Sequence, residues 1–429
     1  MSGDVAAAST HATSQVHRRR NTCRVCGSDR LTVFLSLGPM PLANAFLKSP
    51  DEFAGEPRYP LDLAFCSSCS LVQIVDVIDP RTLFSEYLYV TGISETIVAS
   101  NRDHASALVK ELKLGARNLV VDIASNDGSL LRCFQNAGVR TLGIEPAANI
   151  AEMARGGGIE TMTMFFDGSA AEGVTDKYGR ATVVIAKNVL AHVDDPADFL
   201  RGCRALAEES GVVSIEVPYL GDLLEKLEYD TVYHEHLSYF SMTSLLQLCE
   251  RAGLTVERVQ RVPVQGGSLR LHLRSSSADG SHSRDASDMA AREQRAGFAD
   301  LSRYERFANH VLRNREELRG LLQRAKGDGR SIAAYGAPAK GNTLLNFCRI
   351  DTSLVEYTVD RNPLKIGLFT PGTHLPVYSV STLLERQPDL TLLLAWNLAD
   401  EIRDQQRDYE ARGGRFIVPI PAPRFADSS

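Results

Sequence analysis

The sequence predicts an α/β protein in three parts: a cysteine-paired N-terminal segment, a central Rossmann-like sheet and a second, smaller Rossmann-like α/β unit. Three observations predict it. From residue 117 onward, apolar runs of strand length alternate with helical stretches, the pattern of a parallel sheet covered on both faces. A strand–loop–helix theme appears at 118–128 and restarts at 331–341. Two C-x-x-C pairs precede both.

Composition narrows the class. The 429 residues suffice for two to four domains. Apolar residues make up 44% and charged residues 23%, an ordinary globular mixture. A net charge of −6 offers no global field for nucleic acid. There is no run of about 18 apolar residues for a membrane span. Residues 1–20 lack the apolar core of a secretory signal. These features predict a cytoplasmic protein without nucleic-acid or membrane partners.

Residues 1–20, including His17-Arg18-Arg19-Arg20, are expected to be a disordered, solvated tail. Residues 21–75 hold Cys23, Cys26, Cys66 and Cys69. In a reducing compartment such pairs favour metal over disulfides. Four thiolates close a tetrahedral Zn2+ site and leave no open position for catalysis, so the predicted role is a structural staple.

Residues 76–288 are expected to form the central domain. A tyrosine-rich connection and a helix occupy 80–105. Strands are expected at 118–123, 141–145, 181–186 and 212–217. The loop Asp122-Ile123-Ala124-Ser125-Asn126-Asp127-Gly128 leaves the first strand and opens a helix. Glu145 ends the next strand, followed by Pro146. A carboxylate there can accept both hydroxyls of a ribose. A dinucleotide would need its pyrophosphate close to glycine backbone at a helix start. Ala124, Asn126 and Asp127 disfavour that anion and suit a nucleoside cofactor with a positive sulfonium. Asn188 and His192 follow the strand at 181–186, at the end that faces the cleft. They lie on one face if the segment is helical.

Tyr233-His234-Glu235-His236 packs a phenol, an acid and two imidazoles into four positions. On a strand, His234 and His236 would share a face with Glu235 opposite. No third ligand motif accompanies them, so acid–base catalysis is favoured over a metal site. Histidine suits that task, with an unperturbed pKa of roughly 6.5. Glu235 is expected to orient an imidazole.

Residues 275–290 read as a surface loop or linker, followed by a long charged helix over 290–326. A C-terminal domain over 289–429 then holds a strand at 331–335, a glycine loop, a helix from residue 342, and strands at 355–359 and 390–395. Pro338 breaks the dinucleotide fingerprint. Lys340 adds a cation at a helix start that can hold an anion, and Asp360 ends a strand where it could hold a ribose. Either a phosphate of a nucleotide-linked substrate or a non-binding Rossmann unit fits this loop.

Taken in order, these pieces resemble the S-adenosylmethionine-dependent sugar C-methyltransferases, most of all those acting at C-3′ of dTDP-linked 4-keto-deoxysugars. The resemblance runs from about Cys23 to Pro419. It rests on the cysteine pairs, Tyr87-Leu88-Tyr89-Val90-Thr91-Gly92, Ser125-Asn126-Asp127-Gly128, Gly143-Ile144-Glu145-Pro146, Asn188 with His192, and Tyr233 to His236. It continues through Gly266-Gly267-Ser268, the loop at 335–341, Asp360-Arg361-Asn362-Pro363 and Pro371-Gly372-Thr373. The resemblance implies a zinc domain, a methyltransferase domain and a C-terminal Rossmann-like domain without its own cofactor. It implies His236 as general base, with Tyr87, His192, Tyr233 and Glu235 lining the sugar site. It implies Asp122, Asn126, Gly128, Glu145, Pro146 and Asn188 at the cofactor. Tyr89, Lys340, Asn342 and Asp360 fall toward the sugar nucleotide. Two positions depart from the family. Ala124 replaces a usual glycine, which would shift the cofactor loop. His234 replaces a common Asp, which would alter charge at the substrate.

Two other classes remain open at this stage. One is an NAD-dependent nucleotide-sugar oxidoreductase or epimerase using the C-terminal unit, against which Pro338 counts. The other is a zinc-containing nucleic-acid methyltransferase or binding module, against which the acidic net charge counts.

Overall fold

A computed structural model describes residues 16–276 and 280–426. Its centre is a seven-stranded sheet. Strands Thr161–Met162, Arg140–Ile144, Leu119–Ile123, Ala181–Lys187 and Ala207–Pro218 lie side by side and parallel. Strand Ser268–Ser275 then pairs antiparallel with Ala207–Pro218, and Leu254–Val262 closes the edge. Sequence order reverses between Leu119–Ile123 and Ala181–Lys187, and ligands of open α/β sheets bind at such a switch point. Leu119–Ile123 is buried on every residue, as expected of a parallel strand covered on both faces.

The second α/β unit is a six-stranded sheet in the order Val377–Ser379, Thr358–Asp360, Ile332–Tyr335, Leu390–Leu393, Arg415–Val418, Arg424–Phe425. All neighbours are parallel except the last pair. Its helix begins at Ala339 rather than at residue 342, because Pro338 fits the extended N-cap position.

The zinc segment folds as antiparallel strands Leu31–Ser36, Asp62–Cys66 and Val72–Ile74. A fourth strand, Ser238–Tyr239, comes from the central domain and pairs with Val72 and Gln73. Tyr304, Phe307 and Val311 of helix Leu301–Gly327 share one core with Leu35, Leu63 and Phe65 of this sheet and with Ile332 and Leu344 of the C-terminal unit. One helix thus wedges two units together.

Two expectations need correction. His17–Arg19 is a strand, paired with Asp76–Ile78, so this part of the expected tail is ordered. Its arginines are ion-paired while still partly exposed. Arg19 pairs with Asp62 at 2.8 Å, while Arg18, Arg20 and Arg24 converge on Asp194. Residues 1–15 lie outside the described residues. The second correction concerns the linker at 275–290. Most of its latter half is helical, within Arg284–Arg295, capped by the Ser283 side chain. The charged helix is therefore two helices, separated where Gly297 turns left-handed at φ +79°.

Candidate functional site

A cavity of about 1060 Å³ opens at the switch point of the central sheet and reaches the loops of the C-terminal unit. Its walls include Asp122, Asn126, Glu145, Pro146, Asn188, His192, Tyr87, Tyr89, Tyr233, His236, Lys340 and Asp360. Residues predicted from several separate stretches of chain thus meet in one space.

At one end lies the loop after Leu119–Ile123. Ala124, Asn126 and Gly128 all have positive φ, at 57°, 52° and 74°. Alanine therefore holds a conformation that glycine adopts freely, at a cost of roughly 1–2 kcal/mol. Ala124 thus keeps the left-handed backbone of a glycine-type turn. Gly128 is required twice over, since a Cβ there would lie 2.8 Å from Ile159 Cγ1. Gly128 shapes the helix start and is not itself a wall of the cavity. Glu145 is buried, and its two oxygens accept from the backbone N–H of Asn126 and of Ala147, each at 2.9 Å. Burial raises its pKa while those two bonds lower it. Asp122, sealed beside Lys187, is pushed up to about 8 by burial. Asn188 also turns left-handed, and its buried Oδ1 has no partner among the described residues.

The Tyr233–His236 stretch is a turn, not a strand: His236 N–H donates to Tyr233 O at 2.9 Å. The alternation expected of a strand is therefore absent. His234 points away from the cavity, with Nε2 3.0 Å from the Pro60 carbonyl, so the Asp-to-His departure does not add charge at the substrate. Glu235 does not orient an imidazole. It accepts from Asn44 Nδ2 at 2.6 Å and from the Tyr87 hydroxyl at 2.9 Å, and burial pushes its pKa up to about 7. The Thr231 carbonyl orients His236 instead, at 2.8 Å from Nδ1. A carbonyl can only accept, so Nδ1 carries the proton and Nε2 is the free base. Nε2 lies 2.8 Å from the Tyr233 hydroxyl, which donates to it. Burial lowers the His236 pKa to about 4. His192, at the end of the short turn Leu190–His192, is held neutral by burial. Its ring stacks on Phe84 at 5.6 Å and lies 5.0 Å from the His236 ring.

Over the cavity runs a strap, residues 85–94, fastened by side chains. Asn149 bonds both the N–H and the carbonyl of Tyr87. Asn126 holds the Tyr89 carbonyl and the Thr91 N–H, and Asn362 holds the Leu88 carbonyl. The strap brings Tyr87 to Glu235 and Tyr89 to the cavity wall.

The C-terminal wall carries Lys340, Arg361 and Lys365. Lys340 stands over the Trp396 ring and bonds Asn397 Oδ1. Lys365 is buried, with Nζ 2.8 Å from the Ala337 carbonyl. One substrate candidate is corrected. Asn342 faces the zinc domain and donates to the Ala43 carbonyl at 2.7 Å, because the helix start at Ala339 rotates it away. Asp360 lines the cavity, and its carboxylate also accepts from Ala337 N–H and Asn362 N–H, closing the glycine loop. Sequence reasoning missed Asn44, Thr231 and Lys365. Each is an isolated polar residue in a loop, and no spacing marked them.

The sulfur atoms of Cys23, Cys26, Cys66 and Cys69 lie within 4.8 Å of one another. Tetrahedral Zn–S bonds of about 2.3 Å place sulfurs roughly 3.8 Å apart, so the set fits zinc. Cys23–Cys69 at 3.4 Å and Cys26–Cys66 at 3.6 Å show each pair facing the other. Among the described residues, no helix is long and apolar enough to cross a membrane.

Three family models match: "Putative zinc binding domain" over 23–84, "Methyltransferase domain" over 99–259 and "C-methyltransferase C-terminal domain" over 263–421. The C-methyltransferase NovU of Streptomyces niveus is 38% identical over 402 residues, covering 94% of this chain and 96% of that protein. Among solved structures, magnesium protoporphyrin IX methyltransferase ChlM of Synechocystis PCC 6803, with bound S-adenosylmethionine, aligns at 15% identity. It covers 42% of this chain and 79% of its own, with a TM-score of 0.33. The CcbJ methyltransferase of Streptomyces caelestis aligns at 14%, over 41% and 90%, with a TM-score of 0.33. The length and identity of the NovU match, with the cysteine cluster and the cofactor-type loop, place this chain in the C-methyltransferase family, as a zinc-containing, S-adenosylmethionine-dependent enzyme.

Proposed function

We propose that the enzyme methylates C-3′ of a nucleotide-linked 4-keto-deoxysugar, with dTDP as the nucleotide, in branched-deoxysugar biosynthesis. One observation carries the reading. A neutral imidazole with a fixed tautomer, His236, stands in the same cavity as the cofactor loop and a lysine-lined wall. A sugar carbon becomes nucleophilic only by losing a proton, and the accessible proton is the one beside a ketone.

In this reading, His236 Nε2 removes the C-3′ proton and becomes imidazolium, with Nδ1–H still on Thr231. Tyr233 leaves Nε2 as substrate enters and donates to the oxygen on which the enolate charge gathers. S-adenosylmethionine supplies the electrophilic methyl group. Asp122, Asn126, Glu145, Pro146 and Asn188 hold that cofactor, with Glu145 taking the ribose hydroxyls. Glu235 and Tyr87 position the sugar, and His192 walls it. Lys340, with Arg361 and Lys365, faces the diphosphate. Holding both reactants in one closed space supplies much of the remaining acceleration.

The test is mass spectrometry of products from a panel of nucleotide 4-keto-sugars incubated with S-adenosylmethionine. A gain of one methylene mass on the sugar carbon skeleton supports the proposal. Methylation only on oxygen or nitrogen, or only on sugars without a ketone, would overturn it.

A further inference from the structure

The C-terminal side of the cavity carries charge that the methyl-transfer steps do not use. Glu228 is a wall residue there, 5% exposed, in the bend between helix Leu220–Lys226 and the turn Tyr229–Thr231. Its Oε1 is sealed from solvent and has no hydrogen-bond partner among the described residues. Leaving a buried polar atom unpaired is costly, and such atoms in native structures call for a reason. The nearby cations do not supply a partner. Lys226 pairs with Asp222 at 3.1 Å, and Lys340 bonds Asn397 across the Trp396 face. Both act on Glu228 only through space, and burial outweighs them, pushing its pKa up to about 7. The neighbouring Asp230 repeats the pattern. Its Oδ2 takes the Trp396 indole N–H at 2.7 Å, while its buried Oδ1 has no partner among the described residues. Opposite, Gly266 closes on Glu228 so tightly that a Cβ would lie 2.5 Å from Oε2. The loop is built around the carboxylate, and its Oε1 is left without a donor among the described residues.

We propose that Glu228 is a specificity-determining residue of the substrate site, whose carboxylate accepts a hydrogen bond from an N–H or O–H group of the nucleotide-sugar. The inference rests on the reading in "Proposed function". Two parts of such a substrate offer that donor: the imide N–H of a thymine or uracil base, and a hydroxyl of the sugar. An acceptor here rejects a ligand whose matching group is itself only an acceptor, because two facing acceptors leave both unpaired.

Calorimetry with the zinc-loaded enzyme and the demethylated cofactor tests this. The ligands are dTDP, its N3-methyl counterpart and a dTDP-4-keto-deoxysugar, with wild type and Glu228→Gln. The variant is expected to bind the nucleotide-sugar roughly 10-fold or more weakly, with KM carrying most of the kcat/KM loss. Zinc content and cofactor affinity serve as controls for folding. If the base is the donor, dTDP weakens equally, and the N3-methyl ligand binds wild type as poorly as dTDP binds the variant. If a sugar hydroxyl is the donor, only the nucleotide-sugar weakens. Should Glu228→Gln fail to fold, the comparison of N3-methylated and hydroxyl-deleted ligands on wild type reads the same contact. Equal or tighter binding of the nucleotide-sugar by the variant, or indifference of wild type to both ligand changes, overturns the proposal. Failure of wild type to bind any nucleotide-sugar would instead overturn the underlying functional reading.

Discussion

Replacing His236 by Asn tests the chemistry at its most exposed point. Asn preserves some bulk and hydrogen bonding but cannot take a proton productively. Loss of a general base costs about 10²–10⁴ in rate, or roughly 3–5 kcal/mol of barrier. The structure adds a pH signature. Burial lowers the imidazole pKa to about 4. The base is the proton-free form, so a lowered pKa extends activity toward acid. At pH 5 about 90% of such imidazoles are neutral, against about 3% for an ordinary histidine near 6.5. Activity dependent on His236 should therefore survive to about pH 5 and fall as pH drops through about 4. Glu235 behaves oppositely. Its carboxylate, raised to about 7, gains a proton as pH falls through that value and disturbs the Tyr87 and Asn44 contacts. A shallower step near 7 should appear first, and Glu235→Gln should remove it. The assay is exchange of the sugar C-3′ proton with deuterated water, with the demethylated cofactor bound. Wild type should exchange and His236→Asn should not. Exchange and methylation by the variant at wild-type rates would place the base elsewhere, with His192 next in line. A steep limb near 6.5 that survives Glu235→Gln would show the imidazole to be ordinarily solvated.

Elemental analysis of freshly purified protein should find one zinc per chain, and Cys23→Ser should lose zinc and solubility before it changes intrinsic chemistry. Glu145→Ala should weaken S-adenosylmethionine binding by about 1.5–3 kcal/mol by calorimetry, since the carboxylate braces Asn126 and Ala147 as well as lining the proposed cofactor site. Unchanged affinity would remove Glu145 from the site. Tyr87→Phe deletes one of two bonds to Glu235 and should raise KM for the sugar roughly 5- to 10-fold while the melting temperature hardly moves.

The parts legible in the sequence were those governed by local periodicity or chelate spacing. The parallel strands at 119–123 and 181–187 announced themselves as apolar runs, and the cysteine pairs as ligand sets. The turn at Tyr233 to His236 was misread because four residues carry no period, and only the His236–Tyr233 backbone bond decides between turn and strand. Helix Arg284–Arg295 was hidden by the Ser- and Asp-rich run before it, although Ser283 is the cap that starts it. Asn342 looked like part of the glycine loop until Pro338 fixed the helix start and turned it toward Ala43. Asn44 and Thr231 could not be found at all, since each matters only through a contact made distant in sequence or by backbone carbonyl.

That last group changes the meaning of the zinc domain. A four-thiolate site has no open coordination position, so zinc itself has no catalytic step to perform. Yet the turn that carries the proposed base, His236, is held by this domain on several sides. Asn44 grips Glu235, the Pro60 carbonyl holds His234, and Ser238–Tyr239, two residues beyond His236, is a strand of the zinc domain's own sheet. Leu237 between them donates to the Ala191 carbonyl and accepts from Ile74, tying the turn to the His192 segment as well. A general base must sit within hydrogen-bond reach of its proton, and small displacements there are expensive in rate. Removing zinc would thus loosen Asn44, Pro60 and Val72 together, and with them the geometry of His236, although no zinc ligand lines the cavity. The staple and the proposed active site are one mechanical unit, which is a physical reason for a methyltransferase sheet to carry a zinc domain in front of it.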